Sequence, residues 1–220
     1  MFDNGNNLKI LGIAGSLRER SSSQFALEYA MDLLNKRGCR SRSFDLRTAN
    51  LPFCNGNPDE QSRAFPVVAA LRNAVSEAHA LVLVTPEYHG GISGVLKNAL
   101  DLLDTKQLAG KIAGIVSVLG GAANANAWND LSRIMRSCHA WVIPQYVAIG
   151  HASTVFVDGQ ISDIDLRIRF QEFADSLTRS AVRLCGLGHT EMTRAKSKLT
   201  APVNLTKTRN PFNENVNSIS

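Results

Sequence analysis

The sequence predicts an α/β fold, a doubly wound parallel sheet of five strands with helices on both faces. Two patterns predict it. Short, unbroken apolar runs mark strands buried on both faces, and each is followed by a stretch with apolar residues three and four apart, the signature of a helix with one buried side. Parallel neighbours need crossover connections, and helical crossovers cover the two faces of the sheet.

Residues 8–14 (LKILGIA) form the first strand and stop at Gly15-Ser16. Residues 21–37 place Leu27, Ala30, Met31 and Leu34 on one helical stripe, ended by Gly38. Residues 40–46 make a weaker second strand. An irregular stretch through Pro52 and Asn55 to Pro58 then leads to an Ala/Val/Leu helix over residues 66–78. Residues 80–85 (ALVLVT) are the clearest buried strand, followed by a turn-rich 86–92 and a helix over 93–103 with Leu96, Ala99 and Leu103 on one side. Residues 112–118 give the fourth strand, Gly120-Gly121 breaks it, and 125–138 carries Leu131, Ile134 and Met135 on a stripe. Residues 141–149 give a fifth strand, bent or interrupted by Pro144, which has no N–H to offer a ladder. After an Asp158-Gly159 turn, Ser162 and Asp165 have capping-box spacing, and Leu166, Phe170, Phe173, Leu177 and Ala181 line a long last helix.

Composition narrows the function classes. The chain has 220 residues, 44% hydrophobic and 20% charged, which suits one sizeable core. A long charge-free stretch, 112–129, holds Gly120, Gly121 and three Asn and is too polar to span a bilayer. No secretory leader is legible, so the expected location is the cytoplasm. Cys39, Cys54, Cys138 and Cys185 lie far apart with no C-x-x-C, and the five histidines form no metal-binding pattern, so neither zinc nor disulfides are expected. The net charge of +5 sits largely in residues 190–220, which hold five basic groups against two acidic ones. The remaining body is near neutral and has no footprint for a phosphate backbone, so no nucleic-acid partner is expected. The expected organisation is one ligand-binding domain over 1–189 and a flexible polar tail over 190–220.

In a doubly wound sheet the ligand lies outside the carboxyl ends of the strands. Three loops there could hold one. The first, GSLRERSSS over 15–23, joins a strand to a helix N-terminus, where free N–H groups, hydroxyls and an arginine suit a phosphate. Serines that merely cap a helix are the alternative. G-x-G-x-x-G and G-K-[ST] are both absent, so dinucleotide and triphosphate loops fit poorly, and Asp45 as a ribose-binding acid is weak without the glycines. The second loop, TPEYHGGISG over 85–94, combines an aromatic, an imidazole and glycine-exposed backbone, which suits the edge and face of a flat heteroaromatic ring. It lacks the spacing of a nucleophile elbow. Lys97, Asn98 and Asp101 are expected to serve helix packing and solvation. The third loop, SVLGGAAN over 117–124, again bares backbone to a ligand.

These residues resemble the NADPH-dependent FMN reductases of flavodoxin-like fold, a family that includes quinone, azo-dye and chromate reductases. The likeness rests on Gly15-Ser-Leu-Arg-x-x-Ser21, on Pro86-Glu-Tyr-His-Gly-Gly-Ile-Ser-Gly-Val-Leu-Lys-Asn-Ala-Leu-Asp101, and on Gly120-Gly121 followed by a helix and Pro144; it covers residues 8 to about 186. It implies strand order 2-1-3-4-5 and noncovalent FMN. It also implies a phosphate held by Ser16, Arg18, Ser21 and Ser23. The ring would be lined by Pro86, Glu87, Tyr88, His89 and Gly90, with Ser117, Gly120 and Gly121 closing the other side. Position 89 is His where many relatives have Asn, and position 23 is Ser where Asn is frequent.

The resemblance further implies that hydride passes from NADPH or NADH to FMN, and electrons then pass to a small acceptor such as a quinone, azo compound, metal oxyanion or free flavin. The flavin supplies the difficult chemistry, so no protein catalytic residue is expected. Assembly as a homodimer or homotetramer is implied too. A non-catalytic flavin-binding electron carrier or redox sensor stays open as an alternative.

Overall fold

The computed structural model describes residues 8–157 and 160–186. In chain order its elements are β1 (Lys9–Ala14), α1 (Ser22–Lys36), β2 (Arg40–Phe44), α2 (Leu46–Ala49), α3 (Pro58–Ala64), α4 (Pro66–Glu77), β3 (Ala80–Tyr88), β4 (Gly91–Ile92) and α5 (Gly94–Asp101). There follow α6 (Thr105–Leu108), β5 (Ile112–Val118), α7 (Asn126–Ser137), β6 (Trp141–Val142), β7 (Val147–Ile149), α8 (Ala152–Val155), β8 (Phe156–Val157), β9 (Gln160–Ile161) and α9 (Ile164–Leu184).

The sheet runs β2-β1-β3-β5, and β6 and β7 both lie parallel against β5. Ile10 pairs with Ser41 on one side and Ala80 on the other, and Leu81 with Ala113. The fold class and the order of the main strands are therefore those expected. The strand count is not: among the described residues the sheet has seven strands, not five. One extra strand arises because the chain around Pro144 leaves β5 between Val142 and Val147, so the fifth strand is two pieces. The other is β4, which folds back antiparallel on the end of β3.

Period-two alternation divides the central strands between two apolar layers. Ile10, Val82, Val84, Ile112 and Val116 face α1 and α9, where Leu27, Leu34, Phe170 and Phe173 are buried. Leu11, Ile13, Leu81, Leu83 and Ile115 face α4, α5 and α7, where Leu71, Leu96, Leu131 and Met135 are buried. Burying Phe170 or Phe173 is worth about 1.5–3 kcal/mol each. α9 packs so closely that a Cβ on Gly114 of β5 would stand 2.5 Å from Phe173 Cζ. β2 is the exposed edge and carries Arg40 and Arg42, charges that discourage pairing with another sheet.

Four short helices, α2, α3, α6 and α8, escape the sequence pattern. α2 is a single turn capped by Asp45, whose carboxylate accepts the Arg47 N–H at 2.9 Å; Asp45 is a cap, not a ribose acid. α3 begins at Asn57-Pro58, an N-cap followed by the residue that best tolerates the first helical position. α9 is capped by Asp163, which accepts from Asp165 and Leu166, rather than by Ser162; the Ser162 hydroxyl instead donates to the Val155 carbonyl. The Asp158-Gly159 turn and residues 190–220 lie outside the described residues. Among the described residues no helix is long and apolar enough to cross a membrane.

Candidate functional site

The three loops meet at the carboxyl edge of the sheet. In the first, the Gly15 N–H donates to the Val84 carbonyl at 2.7 Å, which fixes the loop against β3. A Cβ at Gly15 would lie 2.5 Å from Ser93 Oγ and 2.8 Å from Leu96 Cβ, so only glycine admits this contact with the start of α5. Ser16 is half-buried and its hydroxyl accepts the Arg18 N–H at 3.3 Å. Arg18 is exposed, and Arg20, at φ +50°, turns the chain back into α1.

Ser21 is the helix N-cap. Its hydroxyl accepts the Gln24 N–H at 3.1 Å and its carbonyl accepts the Phe25 N–H at 3.1 Å. The N–H groups of Ser22 and Ser23 are left at the helix start without an intrahelical acceptor, on the positive end of a four-turn dipole. The Ser23 side chain lies on the buried side of α1. The capping and anion-binding readings of this loop are thus compatible: Ser21 caps, and the free N–H groups, Ser16 and Arg18 remain available to an anion.

The second loop is more ordered than a turn-rich segment suggests. β3 continues through Pro86 to Tyr88, and His89-Gly90, at φ +52° and +77°, form the two-residue turn of a tight hairpin with Tyr88 opposite Gly91. Asn, Asp and His are the side chains that tolerate positive φ best, so a histidine suits this position. Tyr88 is 51% exposed, and His89 and Gly90 are exposed beside it. Beneath them Thr85 is buried; its hydroxyl accepts the Ser93 N–H at 3.1 Å and donates to the Pro86 carbonyl at 2.8 Å. Ser93 caps α5 by accepting the Leu96 N–H. The Glu87 carboxylate turns toward the third loop, accepting from Asn124 Nδ2 at 3.0 Å and from the Ala127 N–H at 3.3 Å. What Glu87 offers a ring is therefore its backbone.

In the third loop the Ser117 hydroxyl is fully buried and has no hydrogen-bond partner, although it sits between Thr85 and Ala148 in the strand register. Trp128 Nε1 and Ser132 Oγ of α7 are buried without a partner in the same way. Gly120 and Gly121 are exposed, and a Cβ on either would meet nothing within 4 Å. The loop is tied to the chain after β7: the His151 N–H donates to Gly121 O at 2.7 Å and the Leu119 N–H to Ile149 O at 2.8 Å. A Cβ on Gly150 would stand 2.5 Å from the Ala123 nitrogen. The Ser22 hydroxyl donates to Ala152 O at 3.4 Å, so contacts lead from the first loop round to this segment again.

Beside the third loop lies a groove of about 500 Å³ lined by Asn124, Pro144, Gln145, Tyr146 and Arg169 among others, with Tyr146 stacked on Trp128 at 4.8 Å between ring centroids. Ser93, Asn124, Gly150 and Thr85 join the site without having been singled out from sequence. Ser93, a serine opening an amphipathic run, gave a cap signal; Thr85 acts within its own loop, while Asn124 reaches Glu87 and Gly150 packs on Ala123 across long stretches of chain. Lys97 and Asp101 pair at 2.7 Å and Asn98 straps residues 52–54 to α5, the packing roles expected of them.

The groups with shifted protonation lie away from these loops. Burial, then Lys111 and Lys9, holds His79 below the usual imidazole range, and its Nδ1 accepts the Lys9 N–H at 3.0 Å. Burial also lowers Lys111 and raises the Cys39 and Cys185 thiols. Among the described residues, no group of three or more His, Cys, Asp or Glu could hold a metal.

The donor set fits FMN. Ser16, Arg18 and the first N–H groups of α1 suit a phosphate monoester dianion. Exposed glycine backbone at 90 and 120–121 and the half-exposed Tyr88 suit a planar ring with a polar edge, whereas the Ser117 hydroxyl is buried beneath the loop.

Comparison with known proteins agrees. Residues 8–154 match the family model of the NADPH-dependent FMN reductases. The chain is 31% identical over 143 residues to an NADPH azoreductase of Bacillus sp. (strain OY1-2), covering 64% of this chain and 76% of that one. It is 34% identical over 155 residues to the NADPH-dependent FMN reductase ArsH of Shigella flexneri, covering 68% of this chain and 58% of the relative. It is 28% identical over 187 residues to an NAD(P)H:quinone oxidoreductase of Solanum tuberosum, covering 81% and 95%. Among solved structures, FerB, an NAD(P)H:(acceptor) oxidoreductase from Paracoccus denitrificans, superposes with TM-score 0.68 at 23% identity, over 80% of this chain and 98% of its own. An archaeal flavodoxin superposes with TM-score 0.57 at 13% identity over 79% of this chain and 99% of its own, which speaks to the flavodoxin-like fold alone. The chain belongs to the family of NADPH-dependent FMN reductases, enzymes whose cofactors are FMN and NAD(P)H.

Proposed function

We propose that this enzyme takes hydride from NADPH or NADH onto FMN held by the three loops and delivers electrons to a small acceptor such as a quinone, azo compound, metal oxyanion or free flavin. Bound FMN supplies the redox chemistry, accepting two electrons as hydride and releasing them to the acceptor. The chain's own residues bind and orient. Ser16, Arg18 and the start of α1, with Ser21 shaping the turn and Ser23 supplying backbone, hold the phosphate. The backbone of Pro86, Glu87, His89 and Gly90, together with Tyr88, lines one side of the ring. Ser117, Gly120 and Gly121 close the other. N–H groups fixed by β3, by the hairpin and by the ties to the segment after β7 are preorganised, so they stabilise charge on the ring without reorganising.

The observation that carries this reading is the contact circuit: Gly15 on Ser93, Glu87 on Asn124 and Ala127, and Gly121 on His151 join all the loops at one edge. Tyr88, His89 and the two glycines stay exposed beside them, which leaves a face open to substrates. We propose further that the enzyme works in the cytoplasm as a homodimer or homotetramer, with FMN bound within residues 1–189. The test is NADPH oxidation by the purified holoenzyme, measured with and without a quinone, an azo dye, ferricyanide or free flavin. Acceptor-dependent turnover is expected. An unchanged rate with every acceptor leaves a flavin carrier or sensor and overturns the catalytic reading.

A further inference from the structure

Helix α7 begins without a cap of its own. Its N-cap residue is Ala125, which has no side-chain oxygen, and no acidic residue stands in its first turn. The missing acceptor comes from β3, forty residues earlier in the chain. Glu87 Oε2 accepts the Ala127 N–H at 3.3 Å, inside the first turn, and Glu87 Oε1 accepts Asn124 Nδ2 at 3.0 Å, while Asn124 Oδ1 accepts the Asn126 N–H at 2.9 Å. A carboxylate on the positive end of a helix is a favourable, charge-assisted arrangement. β4 approaches the same helix closely: a Cβ on Gly91 would lie 3.1 Å from Asp130 Oδ2.

Glu87 and Asn124 belong to different loops, each next to a glycine-containing turn. Residues 89–90 are a two-residue turn, and 120–123 are Gly-Gly-Ala-Ala. We propose that Glu87 is a positioning residue, a cross-loop clamp that sets the spacing between the hairpin and the third loop and so fixes the width of the ring-binding slot. The inference rests on the FMN reading above. It assigns the Glu87 side chain to the opposite loop rather than to the ring, and it brings in Asn124 as the clamp's second half.

The test is titration of apoprotein with FMN, followed by flavin fluorescence and visible circular dichroism, for the wild type, Glu87→Ala, Glu87→Gln, Asn124→Ala and the Glu87→Ala/Asn124→Ala double variant. Glu87→Ala is expected to weaken FMN binding about tenfold and to change the dichroism of the bound ring, as loss of charge-assisted hydrogen bonds at a preorganised site does. Glu87→Gln, which keeps one acceptor, should fall between. The double variant should bind no more weakly than Glu87→Ala, because both substitutions open the same clamp. A folded Glu87→Ala protein with FMN affinity within twofold of wild type and unaltered dichroism overturns the clamp. If Glu87→Ala does not fold, Asn124→Ala, an exposed substitution, decides alone by the same two readouts: altered dichroism supports the clamp and unaltered dichroism overturns it. Failure of wild-type apoprotein to bind FMN would instead overturn the cofactor reading, so the two failures are distinguishable.

Discussion

Ser93 Oγ occupies the space that a side chain at Gly15 would need, 2.5 Å from where its Cβ would stand. This contact brings the start of the 15–23 loop, the proposed phosphate loop, onto the cap of α5, the helix that follows the 85–94 loop. Gly15→Ala is therefore expected to push α5 from β1, since the second neighbour, Leu96 Cβ, is close to backbone and cannot swing away. A destabilisation of about 1–3 kcal/mol is expected, together with loss of flavin during purification. Thermal unfolding and the flavin-to-protein absorbance ratio check it.

Glycines that look alike in sequence separate by their surroundings. Gly114 faces Phe173, so Gly114→Ala is expected to cost about 1–3 kcal/mol through overpacking, with FMN affinity in the surviving folded protein little changed. Gly120 has open space around it, so Gly120→Ala should leave stability within about 0.5 kcal/mol. It should nevertheless weaken FMN binding, because the ring is proposed to approach that backbone. Denaturant unfolding of the apoproteins and flavin titration, run on both variants, distinguish the two effects.

Arg18 is exposed. Removing it takes a charge from the proposed phosphate cradle and nothing from the core. Arg18→Ala is expected to unfold at the wild-type temperature and to bind FMN about tenfold more weakly, with less dependence on salt than wild type. Full retention of FMN by this variant would move the phosphate elsewhere.

Much of this architecture was legible in the sequence, and the parts that were not have physical reasons. β1, β3 and β5 are buried on both faces, so they read as unbroken apolar runs, and the glycines and serines that end them mark the loops. Pro144 announced a break in the last strand. β4 is two residues long and owes its existence to the His89-Gly90 turn, which no periodicity reveals. α3 did carry a signal, Asn57-Pro58 before two acids, but its residues face Arg72 and solvent more than the core, so no apolar stripe accompanied it. Glu87 could be picked out as a site residue, whereas its partners Asn124 and Ala127 could not, since the link depends on a strand and a helix meeting across the sheet edge.

His79 is expected to make the stability of the fold depend on pH. Its folded-state pKa lies below the unfolded value of about 6.5, so the neutral ring is the one the fold prefers. The associated stability is complete above that value and is lost as pH falls through the lower, folded pKa, where the Nδ1 acceptor for the Lys9 N–H becomes protonated. His79→Asn, which keeps an acceptor but does not titrate, should flatten the fall in melting temperature as pH drops below about 6.5. Superimposable wild-type and variant profiles would remove His79 from the acid response.

The most direct test of the three-loop site is the chromophore itself. Protein purified from cells and denatured without proteolysis is predicted to release FMN, about one per chain, and the stripped apoprotein to rebind FMN and quench its fluorescence. A colourless protein whose apo form leaves FMN fluorescence unchanged, or one that releases FAD instead, would contradict the account.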